Sequence, residues 1–289
     1  MTKGDNLLKD CEKLEIIKCR RSVRSFENTP LITEHEILLK TLVDRMKSTQ
    51  GPFMADKRVE HIVLTASERD RLKVGSYGFI TGQQGFLIGI CQREPSPLID
   101  LGHAIEQIVL DLTVEGIGTC WMVSSFKRSA FIDRINLEEG EFIAAVIAYG
   151  YPRERLSLYD RAARRVMKSG TRLPWRSLFF KYDFSTPLTM GESIDIDSCL
   201  EAVRMAPSGE NRQPWRALVF ERGIHLYIER ITAYASNRYG FDMQYLDMGI
   251  AMAHLEAICG TRGRWSFEDP GLSAPNQEYE FIATLNIER

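Results

Sequence analysis

The sequence predicts an α+β protein made of two related halves, and three observations carry that prediction. Short runs rich in β-branched and large apolar residues, bounded by Gly or charged turns, recur along the chain and read as strands. Two long segments, near 101–115 and 245–259, are apolar beyond a single stripe and read as buried helices. Both open with D-x-G-x-A, as Asp100-Leu101-Gly102-His103-Ala104 and Asp247-Met248-Gly249-Ile250-Ala251.

In order along the chain, Leu7 to Cys19 places Leu7, Leu8, Cys11, Leu14 and Ile16 or Ile17 at helical spacing, and ends at the basic pair Arg20-Arg21. Thr33 with Glu36 three residues later reads as a capping box. The helix it starts runs through Ile37, Leu38, Leu42 and Val43 and should stop before Gly51-Pro52. Strands are expected at Val59 to Thr65 and Gly85 to Cys91. In the next helix Leu101, Ala104, Ile105, Ile108, Val109 and Leu112 trace one face, while Leu110 and Val114 make the opposite side apolar. It ends at Gly116-Ile117-Gly118, and Phe142 to Tyr149 is the following strand.

From Pro152 to Pro187 the pattern weakens around the basic run Arg161, Arg164, Arg165 and Lys168, which reads as a connecting arm. The expected division is therefore 1–185, a first half with its arm, and 186–289, a second half. Within the latter, Asp197 or Ser198 should cap a short helix to Met205, followed by a Pro-rich loop. A hairpin from Ala217 to Ile228 turns at Arg222-Gly223, the buried helix spans Tyr245 to Cys259, and the last strand runs from Tyr279 to Ile287. Ala104 and Ala251 are each followed twelve positions later by a glycine, Gly116 and Gly263. Set in matching contexts, the echo argues for an internal duplication.

Composition bounds the function. With 44% apolar and 26% charged residues and a net charge of −2, nothing draws the whole chain to nucleic acid or an anionic membrane, so any anion site must be local. The cysteines at 11, 19, 91, 120, 199 and 259 form no C-x-x-C pair or zinc-like spacing, and no metal is expected. The first residues do not resemble a secretory signal, and no stretch approaches the about 20 apolar residues of a membrane span. A cytoplasmic protein is expected.

Two motifs carry chemistry. Arg20-Arg21-Ser22-Val23-Arg24 offers guanidinium forks and a hydroxyl within one turn, the donors a phosphate monoester needs; by itself the motif decides little, since a solvated basic helix end that complements the helix dipole has the same composition. Pro207-Ser208-Gly209-Glu210-Asn211-Arg212-Gln213-Pro214-Trp215 packs a hydroxyl, two amides and two prolines into a loop that can present fixed donors and acceptors to a flat polar ring. The alternative is a rigid turn whose Ser and Asn serve the backbone.

With these stretches, Gly116-Ile117-Gly118-Thr119-Cys120-Trp121 and Gly170-Thr171-Arg172-Leu173-Pro174, the sequence resembles the nitroreductase family. Its members open with R-x-S-x-R, carry S-x-x-N-x-Q-P-W and G-L-G-T-C-W-like segments, and end in a basic segment that reaches the flavin phosphate. The order departs from the family, whose amide loop follows the first motif by a few tens of residues. At that place this chain has Ser48-Thr49-Gln50-Gly51-Pro52-Phe53-Met54-Ala55-Asp56, while the second half has no R-x-S-x-R. In the family the flavin lies at a homodimer interface. Complementary losses in two fused halves therefore imply a nitroreductase-like fold with an internal pseudo-dimer and one FMN per chain, an arrangement that allows a monomer because the two halves can replace a homodimer.

The resemblance assigns Arg20, Ser22, Arg24 and Arg172, with Arg21 nearby, to the FMN phosphate and ribityl chain. Met122, Val123, Ser124 and Ser125 would run along the ring, and Pro207, Ser208 and Asn211 would contact it from the second half. Lys168 is a further phosphate neighbour, and Arg69, Arg71 and Lys73 are alternatives for the cation near flavin N1. FMN would carry the chemistry at N5, so no protein catalytic residue is expected. NAD(P)H would be the transient reductant, and a nitroaromatic, quinone or activated alkene the acceptor. No G-x-S-x-G, P-loop, H-E-x-x-H or G-x-G-x-x-G is present. The competing expectation is an FMN-binding carrier or sensor with little turnover. A flavin-free relative is the third reading.

Overall fold

A computed structural model describes residues 12–71, 80–124, 126–153, 170–192, 194–231 and 240–288. Its contacts divide the chain into two compact units: residues 19–170, and residues 171–289 with the N-terminal stretch up to Lys18. Helix α1 (residues 12–19) ends at the basic motif, and the expected helical residues Leu7 to Cys11 lie outside the described residues. Among the described residues no helix is long and apolar enough to cross a membrane.

The first unit comprises α2 (Thr33–Ser48), β1 (Lys57–Val63), α3 (Ala66–Arg71), β2 (Gly85–Cys91), α4 (Pro95–Val114), β3 (Gly118–Met122), α5 (Ser129–Ile132) and β4 (Phe142–Gly150). Its sheet is antiparallel with order β1-β2-β4-β3. The central strands β2 and β4 are buried throughout, which explains their unbroken apolar runs. Phe86, Ile88 and Ile90 form one core face with Phe126 and Phe131, and α4 packs on β1, β2 and β3. Each fully buried Ile or Phe there is worth about 1.5–3 kcal/mol of transfer from water.

Two expectations about helix starts in this unit are corrected. Thr33 is the first residue of α2 rather than its cap; Ile32 is the N-cap, and no side-chain cap bond forms. The Ile32 carbonyl accepts the His35 and Glu36 amides, which leaves no Glu36 amide for Thr33 to cap, and the Ile32 amide itself donates to Tyr151 Oη at 3.2 Å. Asp100 does not open α4, which begins at Pro95, a residue whose fixed φ suits the first turn.

The second unit holds α6 (Trp175–Leu178), β5 (Phe179–Lys181), β6 (Asp183–Pro187), α7 (Ile194–Met205), β7 (Trp215–Phe220), β8 (Gly223–Glu229), α8 (Gln244–Cys259), β9 (Gly263–Ser266) and β10 (Tyr279–Ile287). The sheet order is β6-β5-β7-β8-β10-β9, with β5 parallel to β7 and the other pairings antiparallel. Residues 175–187, expected to continue a featureless arm, instead supply a short helix and two strands, while residues 154–169 lie outside the described residues. Asp197 lies inside α7, where Oδ2 accepts the Gly191 amide at 2.7 Å, so it is not the expected cap. Buried His254 is satisfied by the Ala202 carbonyl, 2.9 Å from Nδ1, which ties α8 to α7.

The same plan occurs in both units. A helix precedes two antiparallel strands, a buried helix follows, and two more strands close the sheet. The order β1-β2-β4-β3 matches β7-β8-β10-β9. Asp100 and Asp247 thus lie on the equivalent helices α4 and α8.

Candidate functional site

In the first unit the basic motif is laid beside β3. Ser22 forms a parallel bridge with Thr119, and the Val23 amide donates to the Thr119 carbonyl at 2.8 Å. A Cβ on Gly118 would come within 2.8 Å of Val23 Cγ2, so the glycine permits this close approach. Two of the sequence motifs, 20–26 and 116–121, therefore form one structure.

The motif's side chains divide. Arg20 and Arg24 are buried, Ser22 is half-buried and Arg21 is exposed. Arg20 Nε lies 3.8 Å from Glu106 Oε1, and the other oxygen of this fully buried carboxylate accepts Trp121 Nε1–H at 2.8 Å. Burial pulls the Arg20 pKa down, opposed by the Glu106 charge. Among the described residues, Arg20 Nε has no hydrogen-bond acceptor.

Met122, expected along a ring, belongs to the hydrophobic core with Val23, Phe86 and Phe131, so only its backbone is available there. Val123 is half-buried and its carbonyl accepts Arg128 Nη2 at 3.4 Å, while Ser124 is exposed. Ser125, Lys73 and Lys168 lie outside the described residues, as do the side chains of Arg69 and Arg71.

The second unit joins the other two motifs. Arg172 Nη1 donates to Asn211 Oδ1 at 3.1 Å and Nη2 to the Met205 carbonyl at 3.1 Å. Asn211 Nδ2 donates to the Thr171 carbonyl at 2.9 Å, and the Leu173 amide to Gln213 Oε1 at 2.9 Å. Ser208 Oγ accepts the Gln213 amide at 2.9 Å, and Pro207 is half-buried beside it. Glu210, Asn211 and Gln213 have φ of 47°, 58° and 52°, an uncommon region for residues with a Cβ and one often found at ligand sites. Trp215 is fully buried and fills the core.

Three buried carboxylates hold groups that the sequence did not assign to them, although Asp100 and Asp247 are the aspartates of the D-x-G-x-A echo. Glu106 anchors Arg20 and Trp121; Asp100 accepts the Phe53 and Ala55 amides at 2.9 and 2.8 Å; Asp247 Oδ1 accepts the Gly209 amide at 3.0 Å. Burial raises the Asp100 pKa against its two amide bonds, and raises that of Asp247 well above the carboxylate range. Their signal was an acidic residue among apolar ones on a buried helix, a placement that requires a partner. A separate cavity of about 440 Å³, lined by Leu31, Leu39, His61, Leu64 and Tyr149, includes none of the motif residues. Among the described residues no His, Cys, Asp and Glu cluster could hold a metal ion.

A family model described as "Putative TM nitroreductase" matches residues 12–259, most of the chain. The chain belongs to this nitroreductase family. The crystal structure of a "putative nitroreductase" from Thermotoga maritima MSB8 is similar over 96% of this chain and 94% of that one, with 20% identity and a TM-score of 0.57, and shows the same fold. A nitroreductase family protein from Clostridium novyi NT matches 48% of this chain and 84% of its own, with 20% identity and a TM-score of 0.40. A "putative NADH oxidase" from Clostridium acetobutylicum matches 52% and 96%, with 20% identity and a TM-score of 0.39. No curated protein matches the chain. The α+β nitroreductase fold expected from the motifs is thus the observed one.

Proposed function

We propose that this nitroreductase-family chain is an FMN-dependent oxidoreductase that takes electrons from NAD(P)H and passes them to a nitroaromatic, quinone or activated alkene. The observation that carries the reading is Arg20, a buried guanidinium whose Nε has no acceptor among the described residues, set beside Ser22 in a motif bridged to β3. A buried cation of this kind is stabilised by an anion, and a phosphate monoester supplies oxygens for a guanidinium fork and a hydroxyl. The donor set therefore fits FMN.

In this reading Arg20, Arg21, Ser22, Arg24 and Arg172 hold the phosphate and ribityl chain. The backbone of Met122, with Val123 and Ser124, and the group Pro207, Ser208 and Asn211 bind the ring. Bound FMN would supply hydride acceptance and electron transfer at its ring. The protein's residues orient the cofactor and set the charge around it, and a single chain suffices as the functional unit.

The test is an absorbance spectrum of the full chain after incubation with FMN and removal of free ligand, beside Arg20→Ala/Arg24→Ala. About one flavin per chain is expected, lost in the variant. NAD(P)H should bleach the flavin band, and an acceptor should restore it. Retained flavin that NAD(P)H does not reduce would replace the enzyme by a carrier or sensor, and no retained flavin would overturn both.

A further inference from the structure

The two buried aspartates of the D-x-G-x-A echo perform equivalent tasks. Asp100 holds the loop before β1 through the Phe53 and Ala55 amides, and Asp247 holds the loop before β7 through the Gly209 amide. In both loops a glycine stands six residues ahead of the first strand residue: Gly51 before Lys57 and Gly209 before Trp215. Both contain residues with a Cβ at left-handed φ, Met54 at 54° in one and Glu210, Asn211 and Gln213 in the other. Each such residue costs of order 1 kcal/mol or more and persists because its surroundings enforce it.

The loops differ in what they present. Between its glycine and its strand the first loop carries Pro52, Phe53, Met54, Ala55 and Asp56, with neither a hydroxyl nor an amide side chain, although Thr49 and Gln50 precede the glycine; over the same span the second carries Asn211 and Gln213, with Ser208 just before its glycine. The clamp is common to both units, whereas the polar set occurs in one.

We infer that Asp247 is the positioning residue of the flavin-side loop, holding the Gly209 amide and, through it, the turn that presents Ser208 and Asn211. The inference rests on the FMN reading above. The connection is continuous. Gly209 opens the 3-10 turn Gly209–Asn211, whose Asn211 side chain bonds both the Arg172 guanidinium and the Thr171 carbonyl. Asp100 secures its loop with both oxygens, but Asp247 does so through Oδ1 alone; Oδ2 is buried with no hydrogen-bond partner among the described residues. The helix carboxylate therefore gives the second loop one hydrogen bond where it gives the first two.

The experiment compares Asp247→Ala, Asp247→Asn and Asp100→Ala in the full chain. It measures the FMN Kd by fluorescence titration and backbone amide exchange without FMN. Asp247→Ala should speed exchange at 208–213 and raise the Kd roughly tenfold or more. Asp247→Asn keeps an acceptor oxygen and should return the Kd to within about threefold of the parent. Asp100→Ala should speed exchange at 51–56 and leave the Kd unchanged. Should Asp247→Ala not fold, Asp247→Leu fills the volume without an acceptor and carries the same comparison. Unchanged exchange at Gly209 on loss of the carboxylate, or an equal rise in Kd from Asp100→Ala, would overturn the inference. A parent chain that binds no FMN sinks the functional reading instead, while the exchange comparison still decides whether Asp247 clamps the loop.

Discussion

Arg20 Nε lies 3.8 Å from Glu106 Oε1, with the two side chains 4% and 0% exposed. Removing one partner of a buried ion pair strands the other charge and costs about 3–5 kcal/mol, whereas replacing both by apolar groups is often neutral. Glu106→Ala should therefore lower unfolding free energy by about that amount in urea titrations, with the loss of the Trp121 bond included. Arg20→Met/Glu106→Leu should recover most of it while failing to bind FMN. A stable Glu106→Ala would show that the pair is not what holds Arg20.

Gly51 is constrained by Asp100 rather than by its own φ. A Cβ there would lie 2.3 Å from the Asp100 carboxyl carbon, and that side chain is already fixed by two amides. Gly51→Ala should cost roughly 1–3 kcal/mol and speed amide exchange at Phe53 and Ala55. No loss of stability would mean that the loop moves freely around Asp100.

Glu68 gives a pH test with a defined sign. The Thr65 amide, the Thr65 hydroxyl and Arg134 draw its pKa from 4.5 down to about 2. A carboxylate lowered in the folded state stabilises it above the unfolded pKa, and this contribution disappears as pH falls from about 4.5 towards 2. The Tm difference between the parent and Glu68→Gln should thus be largest above about pH 5 and shrink toward pH 2. A difference independent of pH would rule out the ionised cap.

Ile108 on α4 and Met252 on α8 are both 0% exposed. An aspartate at either position would have no prepared partner, so Ile108→Asp or Met252→Asp should leave the chain unfolded by circular dichroism at room temperature. Ile108→Val, which removes one methylene group, should cost only about 0.5–1.5 kcal/mol. An unchanged Tm in either aspartate variant would contradict the burial of these helices.

Strongly periodic or unbroken apolar segments were legible because their pattern reports burial directly. β2 at Gly85–Cys91 and β10 at Tyr279–Ile287 match the sequence expectation residue for residue, and α8 differs from it by one residue at its start. Helix starts were less legible. Thr33 and Glu36 have the capping-box spacing but make no cap, because the helix starts one residue earlier and the Ile32 carbonyl takes the Glu36 amide that Thr33 would have capped. Thr65 and Glu68 share that spacing, and there the Thr65 amide does donate to Glu68 at 2.8 Å. A local signal is conditional on what the rest of the fold brings to the same backbone groups.

The sequence by itself determined the alternation of elements, the two apolar helices, the four motifs and, through them, the family. Only the tertiary structure decided which motifs meet within a unit, that residues 175–187 supply two strands, and what the acidic residues in the apolar helices hold. Apolar burial leaves a periodic trace along the chain because it repeats with the element. A single hydrogen bond such as Gly209 to Asp247 joins residues far apart in sequence, leaves no period, and exists only once both backbones are in place.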